Sequence, residues 1–68
     1  MTDKELIALL YSQSVLEVDG YLIDAWFDRE SGEKQIDVVN RETREESGFI
    51  ANGMSIDEVR EKISSLIV

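Results

Sequence analysis

The side chains that could do chemistry in this 68-residue chain are almost all carboxylates. Fifteen Asp and Glu residues stand against seven Lys and Arg, which gives a net charge of −8, and the chain contains neither His nor Cys. This composition removes the usual general base, the commonest metal ligand and every thiolate or disulfide. Catalysis or metal binding would have to rely on carboxylates and hydroxyls alone.

Three aspartates on the predicted central strands are the best candidates for acid–base chemistry. Asp24 and Asp28 are four residues apart on one predicted strand, which separates them by about 13 Å. Glycosidases need about 5 Å between their carboxyl groups for retention and about 6.5–9.5 Å for inversion. Asp37 comes nearer to Asp24 across the predicted hairpin, but a shallow sheet surface offers no substrate pocket. We therefore predict no catalytic residue and a protein that is not an enzyme.

The segment from Asp28 to Glu33, DRESGE, superficially resembles a calcium-binding loop. It lacks the alternating acidic order and the distal Glu of an EF-hand, so an acidic turn is the better interpretation. The chain also lacks a phosphate-binding glycine motif, a dinucleotide fingerprint and a basic stripe with interleaved aromatic residues. We expect neither a cofactor nor a metal ion.

The charge balance indicates which partners the chain could bind. A net charge of −8 on so small a body repels phosphate backbones, so direct binding of nucleic acid is disfavoured. The same field attracts a basic surface, including the groove of a protein that normally holds DNA or RNA. Acidity also keeps a small protein soluble, and the sequence leaves both interpretations open.

No targeting segment is evident in the sequence. No apolar run approaches the ~20 residues of a membrane span. The residues after Met1 form neither the basic region nor the apolar core of a signal peptide. Since the absence of Cys also fits a reducing compartment, we expect a cytoplasmic protein that does not associate with membranes.

Two helix-start signals stand near the ends of the chain. Thr2 is followed three residues later by Glu5, and Ser55 is followed in the same way by Glu58. Each pair is a capping box, in which the hydroxyl accepts from a free backbone N–H and the Glu reaches back. Flanking apolar residues complete a hydrophobic staple at each start. The predicted helices span about 3–13 and 56–67.

Between the helices the apolar pattern changes to a period of two, which predicts an antiparallel sheet of three or four strands built on a central hairpin. Asp19-Gly20 and Ser31-Gly32 are tight-turn signals. Residues 41–48, RETREESG, are interpreted as a flexible loop or a short helical turn. The predicted strands span about 15–18, 21–28, 34–40 and 49–51. One α+β domain over residues 1–68 follows, with both helices on one face of the sheet.

Hydrophobic segregation decides the predicted hairpin register. A two-residue loop at Ser31-Gly32 sets Phe27 opposite Ile36, whereas a three-residue loop mixes apolar with polar side chains. Burying one large side chain contributes roughly 1.5–3 kcal/mol, which exceeds the roughly 0–1 kcal/mol of an exposed ion pair. We expect the helices to cover the face formed by Ile23, Ala25, Phe27, Ile36 and Val38. The other face, here called the open face, carries Leu22, Asp24, Trp26, Asp28, Gln35, Asp37 and Val39.

Trp26 among acids is the strongest candidate site on the open face. Trp is enriched at the energetic centres of protein interfaces, and its ring can meet Arg or Lys. The alternative is a Trp that belongs to the core, half-buried beneath the 41–48 segment or the N-terminal segment. Both interpretations stay open at this point. The predicted partner-binding residues are Leu22, Asp24, Trp26, Asp28, Asp37 and Val39.

In size, charge and helix-plus-hairpin character the chain is similar to small acidic inhibitors made by bacteriophages, which include DNA-mimic inhibitors of uracil-DNA glycosylase. The similarity is one of class and not of motif, so no residue role is carried over from it. We predict a non-enzymatic protein-binding domain, an inhibitor or regulator that engages a basic protein partner in the manner of a DNA mimic. The alternative is a homodimeric structural or accessory subunit that self-associates through the same face.

Overall fold

A computed structural model describes residues 1–12 and 14–67, so Gln13, the last residue of the predicted first helix, lies outside the described part. Helices α1 and α2 flank four strands in chain order, which confirms the predicted α+β class. No helix in the described part has the length and apolarity that crossing a membrane requires. The bounds are α1 Asp3–Tyr11, β1 Leu16–Val18, β2 Tyr21–Phe27, β3 Lys34–Asn40, β4 Glu46–Ile50 and α2 Ile56–Leu66.

Both helices begin at the capping boxes that the sequence predicts. The Thr2 hydroxyl accepts a hydrogen bond from the Glu5 N–H at 3.1 Å, and the Glu5 carboxylate accepts from the Thr2 N–H at 2.8 Å. The pKa of Glu5 lies below its ordinary value, mainly because the Thr2 backbone N–H donates to the carboxylate. The Thr2 side chain lowers it further. Ser55 and Glu58 make the same reciprocal pair at the start of α2. These bonds satisfy N–H groups that a first helical turn otherwise leaves free.

A core of ten buried apolar side chains joins the two helices to one face of the sheet. The strands run in the order β1-β2-β3-β4, each antiparallel to its neighbour. Among the described residues no polar or charged side chain is buried, so the core is wholly apolar. Its members are Leu6, Leu9, Leu10, Ile23, Ala25, Ile36, Val38, Ala51, Val59 and Ile63. The helices therefore cover the predicted face.

The hairpin between β2 and β3 has a different register from the predicted one but the same faces. Phe27 pairs with Lys34, where the two-residue loop would have paired it with Ile36. The connecting loop spans residues 29–32, because the Asp28 N–H donates to the Glu33 carbonyl at 2.8 Å. Side chains alternate along a strand, so a shift of two residues leaves every side chain on its predicted face. Phe27, the last residue of β2, nevertheless stays 51% exposed.

The two longer hairpin loops share one hexapeptide pattern, DRESGE at 28–33 and NRETRE at 40–45. Asp28 accepts a hydrogen bond from the Glu30 N–H, and Asn40 accepts one from the Glu42 N–H, each at 2.9 Å. The hydroxyls of the fourth residues accept in turn from the backbone two positions on. The acidic segment that superficially resembles a calcium loop is therefore a side-chain-stabilised turn.

The fifth residue of each hexapeptide adopts a left-handed backbone conformation. Gly32 has φ 74° and Arg44 has φ 67°, and each donates its N–H to the carbonyl of the first residue at 2.8 Å. Glycine adopts this conformation freely, whereas arginine does so at a cost. Because the second loop closes at Arg44, β4 begins at Glu46. This bond from residue 44 to residue 40 closes a single helical turn, so the predicted turn is present, but it ends before residue 46. The predictions that the loop extends to residue 48 and that the last strand begins at 49 are wrong.

Replacing Arg44 with glycine should stabilise the fold. A left-handed conformation costs an L-residue roughly 1–2 kcal/mol, and the greater freedom of unfolded glycine offsets roughly 0.5–1 kcal/mol of the gain. We expect Arg44→Gly to raise the free energy of unfolding in urea by roughly 0.5–1 kcal/mol. Gly32→Ala is the matched control and should lower it by about 1 kcal/mol. If both variants changed the free energy of unfolding in the same direction, the two loops would not be equivalent.

Two substitutions in α2 separate its capping from its packing. Ser55→Ala removes the capping acceptor and should cost about 1 kcal/mol. Ile63 is completely buried, so Ile63→Ala should open a cavity and cost roughly 2–4 kcal/mol. Urea melts of both variants measure these differences. Equal and negligible losses would show that α2 does not stabilise the sheet.

Candidate functional site

The open face forms one surface across all four strands. It holds three cross-strand rows, in which β4 adds residues that the sequence did not assign to this face. Five of the six predicted partner-binding residues lie in these rows. The rows are Glu17–Leu22–Val39–Glu46, Asp24–Asp37–Gly48 and Trp26–Gln35–Ile50.

Trp26 is held at the surface by a hydrogen bond to an acid. Its side chain is 42% exposed, so the alternative that places it in the core is wrong. The indole Nε1–H donates to Asp37 Oδ2 at 2.8 Å, diagonally across the β2–β3 pair. This bond satisfies the only polar atom of the ring and fixes its position beside the carboxylate. The rest of the ring is left as apolar surface on the open face.

Two carboxylates of like charge face each other in the middle row. Asp24 lies directly opposite Asp37, a position that brings Cβ atoms to about 5 Å. In the described part of the chain no ion pair reaches either carboxylate. Like charges directly opposite each other destabilise a sheet. The indole bond gives Asp37 a role in the fold, but no ion pair among the described residues offsets its repulsion with Asp24.

Gly48 completes the middle row, where the β3 backbone and the Asp37 carboxylate approach it closely. A Cβ atom at this position would lie 2.6 Å from the Ile36 carbonyl oxygen and 3.0 Å from Asp37 Oδ1. No side chain fits there without moving the β3 backbone, so the close approach requires glycine. Asp37 Oδ1 thus lies over Gly48, on the side of the sheet where β4 forms the edge.

The sequence interpretation missed Glu46 and Gly48 because it began the last strand at residue 49, and it placed Ile50 in that strand without assigning it to a face. The repeated hexapeptide was the available signal, since a second copy of a turn places a strand directly after residue 45. Glu17, in the first row, was also missed. It pairs with Arg41 at 2.7 Å, but both side chains are 56% exposed, so the pair contributes little to stability.

Asp28 is the predicted site residue that the strands do not hold. It follows the last residue of β2, and its Oδ1 atom accepts the Glu30 N–H within the hairpin loop. Its carboxylate therefore stabilises a turn at the end of the open face. The binding surface is better described without it.

A second exposed cluster lies on the helix side of the sheet. Tyr11 is 71% exposed, and Lys34 Nζ lies 4.3 Å from the centre of its ring. A cleft of about 270 Å³ runs between Tyr11, Phe27 and Met54. This cluster lacks the paired acids of the open face, which makes Tyr11 a suitable control residue.

The described residues contain no group of three or more acidic side chains placed to hold a metal ion. The sequence matches no protein-family model, and neither a curated protein nor a solved structure matches it. What the site can do is therefore inferred from its own geometry. That geometry combines an exposed ring, apolar neighbours and two opposed aspartates that form no ion pair with a described residue.

Neutralising one member of the aspartate pair should stabilise the isolated chain. Removing a directly opposed like charge is worth roughly 0.2–1 kcal/mol, so Asp24→Asn should raise the free energy of unfolding by that amount. Glu30→Gln, in the exposed 29–32 loop, is the charge-matched control and should change it by less than about 0.5 kcal/mol. Urea melts at low salt measure both. Equal increases in the free energy of unfolding for the two variants would show that the effect comes from net charge and not from the aspartate pair.

Proposed function

We propose that this chain is a non-enzymatic protein-binding domain, an inhibitor or regulator that presents its open face to a basic surface of another protein. The observation that carries the proposal is the Trp26–Asp37 pair, an exposed indole fixed by an acid on a face that neither α1 nor α2 covers. Trp residues in such positions are typical interface anchors. Their rings also attract Arg and Lys side chains.

The composition of the open face supports a basic partner. Leu22, Val39 and Ile50 supply apolar area, while Asp24, Asp37 and Glu46 supply negative charge. Apolar contacts provide most of the affinity of an interface, and charge provides orientation and fast encounter. A partner Arg or Lys placed between Asp24 and Asp37 would relieve their repulsion. The cost that the pair imposes on folding would then be recovered on binding.

The net charge extends the proposal to partners that normally hold nucleic acid. A chain of net charge −8 competes electrostatically with phosphate backbones for a basic groove and is itself repelled by them. We therefore favour a cytoplasmic DNA mimic of the phage type over a protein that binds nucleic acid directly. Neither a cofactor nor a metal ion is part of this function.

Self-association through the open face is the second candidate. The exposed apolar side chains of Trp26 and Ile50 favour it, because they would gain from mutual burial. The charges oppose it, since a second copy would bring its own Asp24 and Asp37 against the first pair. A homodimeric subunit is therefore the weaker proposal.

Affinity capture from the source cell tests the proposal. Immobilised chain should retain a basic protein that the Trp26→Ala variant loses and the Tyr11→Ala variant keeps. Tyr11 is the control because it is an exposed aromatic residue on the helix side of the sheet. With the captured protein purified, Trp26→Ala should weaken binding about thirtyfold or more, while helical circular dichroism is unchanged. Double-stranded DNA should compete if the chain is a DNA mimic.

Two results would contradict the proposal. One is a captured protein that Trp26→Ala binds as tightly as the wild-type chain does. The other is a stable dimer in light scattering that Trp26→Ala dissociates, which would favour self-association. Asp24→Asn and Asp37→Asn should both slow association and reduce its salt dependence, because long-range charge governs encounter, and loss of a charge that the partner contacts directly should also speed dissociation.

A further inference from the structure

Within residues 1–12 and 14–67, β4 pairs only with β3, and its outer edge is free for hydrogen bonding. The Ala51 N–H donates to the Lys34 carbonyl at 2.8 Å, and the Asn40 N–H donates to the Glu45 carbonyl at 2.9 Å. Antiparallel ladders alternate, so these two bonds direct the N–H and C=O groups of the intervening even-numbered residues away from β3. Those residues are Glu46, Gly48 and Ile50, and all three are exposed.

β4 has one protective charge, Glu46 at its first position, and otherwise lacks the usual protections of an edge strand. Proteins guard such edges with lysine, proline, bulges or very short strands. β4 has the sequence ESGFI, without lysine or proline, and pairs with β3 residue for residue along its whole length. The opposite edge strand, β1, has only three residues. The β4 edge is therefore the place where an extended segment can add to this sheet.

We propose that the partner supplies an extended segment that adds to β4 as an antiparallel fifth strand and places an Arg or Lys opposite Gly48. This inference rests on the proposed function and specifies the partner's chemistry at the same face. A side chain opposite Gly48 projects over the open face, because directly opposed residues share a face. With no side chain at Gly48, a long cation can cross β4 and reach Asp37.

The distances support that reach. Neighbouring strands lie about 4.8 Å apart, so the partner backbone would lie about 10 Å from β3. Asp37 Oδ1 shortens the gap, since it lies 3.0 Å from the position of a Gly48 Cβ atom. Asp37 Oδ2 already accepts the hydrogen bond from Trp26, so Oδ1 is the oxygen available to the partner's cation. Asp24, one strand further, is the secondary contact.

The partner residues two positions before and after the cation also face this surface and add to the sequence preference for the partner segment. A partner residue two positions before the cation lies opposite Ile50, where an apolar side chain fits. A residue two positions after it lies opposite Glu46, where a second cation fits. The segment therefore reads apolar, any residue, Arg, any residue, Lys from its N-terminus. Alternate residues point to the other face and are unconstrained by the open face.

A second copy of β4 is a poorer occupant of the edge. Antiparallel self-pairing centred on Gly48 would set Glu46 opposite Ile50 and glycine opposite glycine. No cation would then reach Asp37, and two chains of net charge −8 would be brought together. Charge complementarity favours the basic segment.

Titration of the whole chain with a designed peptide tests the inference. The probe is the capped heptapeptide TVTRTKT, whose central Arg is meant to oppose Gly48. Its matched control carries an N-methyl group on the Arg amide, which keeps every charge but removes the donor to the Gly48 carbonyl. In ¹H–¹⁵N spectra we expect saturable shifts at Glu46, Gly48, Ile50 and the Trp26 indole. N-methylation should weaken binding at least about fivefold.

Protein variants assign the cation contact. Asp37→Asn keeps an oxygen for the Trp26 bond but loses its charge, so it should weaken the Arg peptide about tenfold. Asp24→Asn should weaken it less. Replacing the central Arg of the peptide with Gln should abolish the difference between wild-type chain and Asp37→Asn. If Asp24→Asn and Asp37→Asn weakened binding of the Arg peptide equally, the Arg would not lie opposite Gly48.

Three other results would overturn the inference. They are equal binding of the N-methylated peptide, the absence of saturable shifts at millimolar peptide, and β4 shifts that depend on protein concentration without peptide. The last would indicate self-pairing. Failure here leaves the capture result with Trp26→Ala standing, whereas a captured partner indifferent to Trp26 would reject the proposed function itself.

Discussion

Two short helices supply one apolar layer, and the sheet has two faces. Leu6, Leu9 and Ile63 are completely buried with Ile23 and Ile36, and this contact holds the helices to the strands. Strand geometry sends every second residue to the other face, where the described chain has no further layer. A chain of 68 residues therefore buries one face and exposes the other. The open face is a consequence of the core, and its composition is where function is to be sought.

Local chemistry made much of this fold predictable. The capping boxes and the Asp19-Gly20 turn depend on residues near each other in the chain, and both are present, with φ 49° at Asp19 and 81° at Gly20. The hairpin register was wrong by two residues because the loop at 29–32 is longer than Ser31-Gly32 suggested. The predicted faces are nevertheless correct, because a shift of two residues leaves each side chain on the same face of the sheet. The face of a strand residue is therefore easier to predict than its cross-strand partner.

The rest of the site depends on long-range geometry that the sequence does not display. The repeated hexapeptide was visible, but Arg44 stands where the first copy has Gly32, so the left-handed position was hidden. The need for glycine at position 48 arises from the approach of the β3 backbone, which no local pattern records. Whether Trp26 was core or surface depended on which face the helices cover. Its bond to Asp37 joins residues eleven positions apart on different strands.

The central claim is that the open face and the adjoining β4 edge together form the binding surface. Amide hydrogen exchange, measured on the free chain and on its complex with the captured partner, tests this claim most directly. In the free chain we expect fast exchange at Glu46, Gly48 and Ile50 and slow exchange at Ser47 and Phe49, whose N–H groups point to β3. In the complex the first three amides should become protected. Protection of those amides without partner, or new protection confined to α2, would contradict the claim.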